Sequence, residues 1–563
     1  MEQNREQSAA FAGQTGAFLR SAGVFALLLA FSVVVRLPDL SMPLERDEGE
    51  YAYAAQEILE GRMPYTDSFC QKPPIVFFWY LTGFFLFGET VEGIHLVACL
   101  AAALAGLGVY LLCLRLPGGA FARPAAWLAA LAFCLASAGY GYFGPAANTE
   151  IFMAVPVLFG AVAVVEAAER GRRVAWFLAG FFFAAAFLTK QVALFSFIGP
   201  ALFASSILWR RRSPVGEHVK PLLFGGMGAL AVAGPIAGWL ALKGAFGACL
   251  EASFGYNLSY VGSPFGAWKW NALFDLLCDR FAFTDGVLWL CAAVCFALPL
   301  FSRSARRSGA CWFVLLWFAG SLFGVALGPK TMGHYFLQIL PPLVLAAGFL
   351  SREAACLAGP RRAGAWAIFG LVAVGVLLPP AIGRAGTLAL TVNERSDALY
   401  SVYGDPPFAA ALEVGALLRK TTGVDDRILV VGSEPEILFY ADRRSATRFT
   451  IFYPLSGTYD GADAMCDELL AEIEAVKPLK VVCARSGVFF LTGRESPESR
   501  ARIDRRMERL LFRIRNFLVE GYDEEYRVYP PRGGDVLVLP PGSAPPSGEQ
   551  PLFHLFTRKT PSR

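Results

Sequence analysis

Long apolar runs separated by short polar loops make up most of the first 381 residues of the chain. The runs lack the two-residue alternation of barrel strands, and a backbone in hydrocarbon must satisfy its own hydrogen bonds, so the runs are predicted to be helices. The pattern predicts about eleven membrane spans, because most runs have roughly the 20 residues that a spanning helix requires. They lie at residues 19–36, 92–114, 125–143, 151–168, 174–189, 192–209, 221–242, 285–302, 309–327, 336–351 and 364–382.

Basic residues predict the orientation of these spans. Clusters of Arg and Lys occur in every second loop between the predicted spans, so that all of them lie on one side of the membrane. They fall within residues 5–20, 115–123, 170–173, 210–220, 303–307 and 352–362. The positive-inside rule places all of them in the cytoplasm. The assignment requires that residues 75–88 do not cross the bilayer, and a segment of about 14 residues suits an interfacial helix. Everything after residue 382 is then extracytoplasmic, in a multi-pass protein of the inner (plasma) membrane.

The composition changes after residue 382. Helical stretches there alternate with short β-rich runs, a pattern typical of an α/β domain; the runs are Arg427–Gly432, Lys480–Ala484 and Asp535–Leu539. The sequence predicts a polytopic α-helical membrane protein with extracytoplasmic juxtamembrane helices and a C-terminal α/β extracytoplasmic domain. The predicted parts are a transmembrane domain at 1–392 with its first outer loop at 37–91, a soluble domain at 393–545, and a flexible, Pro/Ser-rich tail at 546–563.

The overall composition excludes several classes of protein. Hydrophobic residues make up 55% of the chain and charged residues only 17%, a balance unlike that of a soluble globular domain. The net charge of +4 is small, and no basic block lies on an aromatic-rich face, so nucleic acid is not an expected partner. Most cysteines occur singly inside apolar runs, which is typical of small buried hydrophobes rather than of a zinc site or a disulfide framework.

The first outer loop contains the strongest chemical signal. Apolar residues follow Asp47 at helical spacing up to Gly61, which predicts an amphipathic helix on the membrane surface. Asp47 at its start is either an N-cap or a carboxylate held at the headgroup level to accept a proton. Lys72 precedes two prolines that stiffen the backbone, and its amine either snorkels to the boundary or pairs with a lipid phosphate.

These motifs resemble the first extracytoplasmic loop of the GT-C glycosyltransferases. The similarity is greatest to the branch that uses polyprenyl-phosphate sugars, which contains protein O-mannosyltransferases and the bacterial aminoarabinose-lipid A transferase. The supporting motifs are Asp47-Glu48, Lys72-Pro73-Pro74 before Phe77-Phe78-Trp79-Tyr80, Ala147-Asn148-Thr149-Glu150, Thr189-Lys190-Gln191, Gly333-His334-Tyr335-Phe336 with Pro341-Pro342, Asp426-Arg427-Ile428 and Gly432-Ser433-Glu434-Pro435-Glu436. The resemblance covers nearly the whole chain except the tail.

The resemblance implies roles for individual residues. Asp47 corresponds to the catalytic base of the family and Glu48 to its acidic neighbour. Lys72 corresponds to a lysine that lies near the lipid phosphate in the family. Four further residues correspond to polar groups that bind substrate there: Glu150, Lys190, His334 and Tyr335. Many relatives carry Asp where this chain has Glu150, which weakens the transfer of that role.

The implied reaction is an inverting transfer of a sugar from a polyprenyl-phosphate donor. Lys72, and second to it Lys190, would stabilise the leaving lipid phosphate while Asp47 removes a proton from the acceptor. The acceptor stays open between a protein, a glycolipid and a polysaccharide, and membrane lipid is a further expected partner. No cofactor is certain and no metal is predicted, although a divalent cation at Asp47, Glu150 and His334 stays an open alternative.

Other classes of protein remain as alternatives. A lipid or sugar transporter or flippase without covalent chemistry would carry ionisable residues inside its spans, whereas these spans are nearly free of Asp, Glu and Lys. A membrane-anchored binding protein would need only one or two spans. A membrane lipid phosphatase or ligase could use the same outer Lys and His residues.

Overall fold

Two compact units make up the described part of the chain. The computed structural model describes residues 2–116, 122–260, 274, 281–328, 332–357, 362–401, 406–485, 496–532, 535–543 and 549–560. The first unit contains the described residues within 1–40, 95–234 and 264–388. The second contains those within 41–94, 235–263 and 389–563. The helices Val91–Arg115 and Val215–Leu242 each include a boundary between the units.

Helices make up most of the described residues of the first unit. Its longer helices are Glu2–Arg36, Ala122–Ala136, Thr149–Arg170, Arg173–Phe187, Ile198–Arg210, Ala282–Phe301, Gly309–Leu327, Leu340–Leu357 and Arg362–Gly386. Short helices lie at Ala193–Ser196 and Arg303–Arg307, and 3-10 turns at Leu37–Asp39, Tyr140–Tyr142, Gly333–Gln338 and Thr387–Ala389.

Small residues allow these apolar helices to approach closely. Thr149–Arg170 packs on Arg173–Phe187 through a buried cluster of alanines with Val164 and Trp176. A Cβ atom at Gly180 would collide with the backbone of Gly225, so the helix backbones are in direct contact there. Such contacts are typical of helix association in lipid, where hydrophobic burial supplies little driving force.

Eight helices of the described residues are long and apolar enough to cross a membrane. They are Leu19–Asp39, Val91–Arg115, Thr149–Arg170, Ala193–Arg210, Val215–Leu242, Phe283–Phe301, Gly309–Leu327 and Ala363–Ala389, and each coincides with a span predicted from sequence. Three other predicted spans coincide with shorter apolar helices, Ala122–Ala136, Arg173–Phe187 and Leu340–Ser351. The polytopic architecture is therefore confirmed, and the count of about eleven spans stays a prediction.

The second unit combines helices with a five-stranded sheet. The helices are Arg46–Leu59, Ile75–Phe87, Phe246–Leu250, the π-helix Glu251–Tyr256, Asn257–Tyr260, Val392–Tyr400, Phe408–Thr421, Glu436–Ala441, Ala462–Val476 and Pro497–Gly521. The strands are β1 Ile428–Val431, β2 Lys480–Ala484, β3 Tyr522–Arg532, β4 Asp535–Leu539 and β5 Phe553–Arg558. Their order is β1-β2-β5-β3-β4, with β1 and β2 parallel and the other pairs antiparallel.

The predicted flexible tail at 546–563 is wrong for the residues that form β5. This strand lies between β2 and β3, pairing Phe556 with Val481 on one side and Phe553 with Val528 on the other. Phe553 and Leu555 are buried. Burial alternates along the strand, with Phe553 and Leu555 in the core and His554 and Phe556 partly exposed, and this pairing and burial outweigh the turn-forming composition of the residues before it.

The first outer loop packs with distal segments of the chain inside the second unit. Residues 41–94 belong to the second unit, although the predicted division assigned them to the domain 1–392. Gly49 of the helix Arg46–Leu59 lies against the start of the helix Glu436–Ala441. A Cβ atom at position 49 would come within 2.5 Å of the Glu436 amide nitrogen, so the close approach requires glycine.

Replacing Gly49 by alanine is expected to destabilise the second unit. The added methyl group must displace the backbone of Glu436, an overpacking cost of about 1–3 kcal/mol. Thermal unfolding of the purified variant should give a lower Tm than wild type. Gly247→Ala is the matched control, because a Cβ atom there meets nothing within 4 Å. Equal Tm values for the two variants would show that position 49 has room for a side chain.

Candidate functional site

The helix Arg46–Leu59 presents Asp47 in its first turn. Glu45, not Asp47, is the N-cap, and its backbone amide donates to the Glu48 carboxylate at 3.1 Å. The interpretation of Asp47 as a simple N-cap is therefore wrong. Glu48 is fully buried and also accepts from the Tyr400 hydroxyl at 3.4 Å. Glu48 thus fixes the start of the helix, while the Asp47 side chain is left for other partners.

Asp47 and Lys72 lie next to each other in the second unit. The Lys72 Nζ is 3.9 Å from the Asp47 Oδ2, and the Tyr51 hydroxyl donates to the same oxygen at 3.2 Å. The Asp47 side chain is 24% exposed and that of Lys72 is 12% exposed. A carboxylate and an ammonium are thus held together with part of each accessible to a substrate.

The backbone around Lys72 is fixed by side chains from other segments of the second unit. The Lys72 carbonyl accepts from the hydroxyls of Tyr65, at 2.9 Å, and Ser253, at 3.2 Å. The Asn257 amide donates to the Gln71 carbonyl at 2.8 Å. The helix Ile75–Phe87 then starts directly after the two prolines, as the sequence predicts. These contacts hold the point from which the lysine side chain extends.

Glu50 is a third ionisable group of this site, which sequence reasoning missed. It is buried, its Oε1 has no hydrogen-bond partner among the residues that the structure describes, and its neighbours include Cys70, Asp47 and Lys72. Burial, and second the charge of Asp47, raise the pKa of Glu50 to about 8, so it is mostly protonated at pH 7. Its three-residue spacing from Asp47, which places both on one face of a helix, is the signal that could have found it.

Protonation limits the negative charge around Lys72. Burial and the neighbouring Asp47 also raise the pKa of Glu45 well above its ordinary value. At neutral pH, Glu50 therefore adds little negative charge beside the ammonium of Lys72. An anion can approach Lys72 although several carboxyl groups lie in the same loop.

A buried ion pair anchors the helix to the distal segment. Arg46 donates to both oxygens of Glu434, with Nη2 at 2.6 Å from Oε1 and Nε at 3.1 Å from Oε2. Burial and the charge of Glu434 raise the pKa of the adjacent Glu436 well above its ordinary value. The motif Gly432-Ser433-Glu434-Pro435-Glu436 thus has a structural contact with the loop, and Ser433 accepts from the Phe452 amide at 2.9 Å.

The remaining residues predicted from sequence form a second cluster, in the first unit. Lys190 makes an ion pair with Glu150, which also accepts from the Thr149 hydroxyl at 3.0 Å. The His334 Nε2 is 4.0 Å from Glu150, and the Lys190 ammonium lies 4.6 Å from the centre of the Tyr335 ring. The structure therefore brings Glu150, Lys190, His334 and Tyr335 together, as it brings Asp47 together with Lys72.

The cluster shows no preformed cage for a cation. Over the described residues, no group of three or more His, Cys, Asp or Glu side chains is arranged to hold a metal ion. Lys190 occupies the position beside Glu150 that a cation would need. The chemistry of this donor set, with an ammonium already between the carboxylate and the aromatic ring, fits polar or anionic substrate groups.

Comparison with known proteins identifies the fold. Residues 71–239, which include Lys72, Glu150 and Lys190, match the family described as dolichyl-phosphate-mannose-protein mannosyltransferase. The structure is similar to ArnT from Cupriavidus metallidurans, in its apo state and bound to undecaprenyl phosphate. For the apo form the TM-score is 0.54 at 17% identity, over 92% of this chain and 98% of that one. For the bound form the TM-score is 0.54 at 16% identity, over 92% of this chain and 97% of that one.

A second similar structure comes from an archaeal enzyme. It is the oligosaccharyltransferase AglB from Archaeoglobus fulgidus, in complex with an inhibitory peptide and a dolichol-phosphate, with a TM-score of 0.51 at 14% identity over 94% of this chain and 75% of that one. No curated protein matches the chain in sequence. The chain has the fold of these membrane proteins, the GT-C fold that its sequence motifs imply. The resemblance stated from its sequence motifs is thereby confirmed.

Proposed function

We propose that this protein is an inverting glycosyltransferase that moves a sugar from a polyprenyl-phosphate donor to an acceptor. The observation that carries the proposal is the partly exposed pair of Asp47 and Lys72, 3.9 Å apart at the start of the loop helix. The match to a mannosyltransferase family and the GT-C fold support it. One similar protein, ArnT, was solved with undecaprenyl phosphate, and another, AglB, with dolichol-phosphate and a peptide.

In this proposal, Lys72 stabilises the negative charge of the leaving lipid phosphate. Cleavage of the bond between the anomeric carbon and the phosphate oxygen leaves an additional negative charge on the lipid phosphate. An ammonium held at that oxygen stabilises the transition state more than the ground state, because the charge develops during the reaction. The fixed carbonyl of Lys72 limits the positions that its side chain can reach.

In this proposal, Asp47 is the general base that removes the proton of the acceptor. The acceptor oxygen attacks the anomeric carbon from the face opposite the phosphate and transfers its proton to the Asp47 carboxylate. A single displacement with one base inverts the configuration at that carbon. Glu48, predicted among the catalytic residues as the acidic neighbour of Asp47, is buried and accepts from the amide of the N-cap residue Glu45, and we assign it a positioning role.

The second cluster retains its predicted role in substrate binding. Glu150 has acceptor oxygens for sugar hydroxyls, while Lys190 and Tyr335 offer a cation and an aromatic face. The orientation inferred from the basic loops places Asp47 and Lys72 on the extracytoplasmic side of the inner membrane. A protein, a glycolipid and a polysaccharide remain the acceptor classes.

A panel of polyprenyl-phosphate sugars tests the proposed reaction. The purified protein is incubated with each donor and with candidate acceptors, and products are identified by mass spectrometry. The proposal predicts release of polyprenyl phosphate together with a glycosylated acceptor of inverted anomeric configuration. Movement of intact donor across a vesicle membrane without cleavage would instead establish the transporter alternative.

Ionisation of Glu50 is expected to weaken donor binding at alkaline pH. The pKa of Glu50 is about 8, so raising the pH through this value adds a negative charge beside Lys72 and repels the phosphate. The KM for the donor of the wild type should therefore rise between about pH 7 and pH 9. Glu50→Gln, which mimics the protonated acid, should remove most of this rise.

Glu60→Gln is the control for that experiment. Glu60 is the residue directly after the helix Arg46–Leu59, which contains Glu50. Its side chain is half-exposed and pairs with Arg62. This variant should keep the pH dependence of the wild type. A Glu50→Gln profile that still rises as the wild type does would remove Glu50 from the electrostatics of the site.

A further inference from the structure

The first unit contains an apolar groove between the C-terminal ends of three of its helices. It has a volume of about 390 Å³, within the range of small-molecule sites. The helices Glu2–Arg36, Ala122–Ala136 and Arg362–Gly386 contribute its walls, with Phe31, Val34, Leu131, Leu135, Leu377 and Ala381 among the lining side chains. All of these residues belong to apolar helices, so the groove lies where hydrocarbon chains of the membrane are present.

Among the described residues that line the groove, Arg384 is the one that carries a charge. It is only 7% exposed, and its Nη2 donates to the Val35 carbonyl at 2.7 Å and to the Asp39 carboxylate at 2.5 Å. Its Nε and Nη1 have no hydrogen-bond partner within the described part of the chain. Buried guanidinium donors without acceptors carry an energetic cost that an anionic ligand would remove.

A second buried arginine makes the local charge positive. Arg36 donates to the Ser137 hydroxyl at 2.9 Å and interacts electrostatically with Arg384 and Asp39. Asp39 pairs with Arg384 but cannot neutralise both cations. An excess positive charge at the end of apolar helices is costly in a membrane unless an anion compensates it.

We propose that this groove binds an anionic membrane lipid, with a hydrocarbon chain on the apolar walls and the phosphate at Arg384. A small rotation of the guanidinium directs Nη1 and Nε to the phosphate oxygens while Nη2 keeps its bond to Asp39. A guanidinium suits this role because its fork of donors matches two phosphate oxygens. The apolar lining selects a lipid over free phosphate, and the excess positive charge selects an anionic headgroup over a zwitterionic one. The site is independent of the proposed transfer reaction.

Photocrosslinking tests this site directly. The full-length protein is reconstituted in nanodiscs with phosphatidylglycerol that carries a photoactivatable group on one acyl chain, and crosslinked peptides are mapped by mass spectrometry. Crosslinks are expected in the peptides that contain Phe31, Leu131 and Leu377. A phosphatidylcholine probe with the same acyl chain should label these peptides at least tenfold less, and inorganic phosphate should not compete.

Two variants separate the site from general lipid contact. Ala381→Phe fills the groove but leaves Arg384 and Asp39 in place, and Arg384→Gln removes the cation; each should reduce the specific crosslinks at least tenfold. Ile382→Phe is the matched control, because Ile382 lies on the same helix, is 51% exposed and does not line the groove. Equal labelling by both lipid probes, or unchanged labelling in folded Ala381→Phe, would overturn the proposal.

Discussion

The Asp47→Asn variant is expected to lose sugar transfer by a factor of about 10² to 10⁴, the usual contribution of a general base. Asparagine keeps the size of the side chain and can still accept from the Tyr51 hydroxyl, so the helix start should persist. The amide cannot take the acceptor proton, and the loss should appear in kcat. Steady-state kinetics with a radiolabelled polyprenyl-phosphate sugar measure it.

Asp67→Asn provides the control for this loss. Asp67 lies in the same loop and is similarly exposed, but it pairs with Arg444 rather than with Lys72. Its removal should leave kcat within a few-fold of wild type, and both variants should elute as folded protein. Transfer by Asp47→Asn at the wild-type rate would exclude Asp47 as the base.

The Lys72→Met variant is expected to lose about 10² to 10³ in kcat, the cost of removing one donor that stabilises developing charge. Methionine keeps much of the length of lysine without the ammonium, and the pair with Asp47 is partly exposed, so the variant should fold. Steady-state kinetics with a polyprenyl-phosphate sugar measure this loss.

Lys243→Met is the corresponding control, since Lys243 is exposed and lies in the same unit. The double variant Asp47→Asn/Lys72→Met adds a further readout. Residues that act on one reaction as a unit give non-additive losses, so the double variant should lose less than the product of the two single effects. Full multiplicativity would indicate that the two residues act in separate processes.

Much of the membrane architecture was predictable from the sequence because hydrocarbon restricts the backbone to few structures. The predicted spans at 92–114 and 309–327 agree with the helices Val91–Arg115 and Gly309–Leu327 to within about two residues, the usual uncertainty of helix ends. The 13-residue helix Ile75–Phe87 likewise matches the segment predicted at 75–88. Hydropathy determines such helices locally, without reference to the rest of the fold.

The distal sheet was only partly predictable. The buried strand β1, and β2 after its first residue Lys480, are continuous apolar runs, whereas β3 contains charged residues at Asp523 and Glu524 and two prolines near its end. β5 is short and follows a proline-rich segment. Pairing with distant strands and burial of Phe553 and Leu555 stabilise it, and such non-local terms are absent from a local pattern.

The candidate site was likewise predictable from the sequence only in part. Asp47 and Lys72 stand in recognisable motifs, and the structure brings their side chains next to each other. Glu50 was missed because its importance comes from burial beside Asp47, which depends on tertiary packing. Ser253 and Asn257 hold the backbone at Lys72 and Gln71 from almost 200 residues away in sequence, a coupling that no local motif contains.

A structure of the protein with bound polyprenyl phosphate, determined by cryo-electron microscopy, tests the central claim most directly. The account predicts that a phosphate oxygen lies within about 4 Å of the Lys72 Nζ, the range of an ion pair, with the Asp47 carboxylate facing the position of the sugar. Phosphate density out of reach of Lys72, while the protein retains transfer activity, would contradict it.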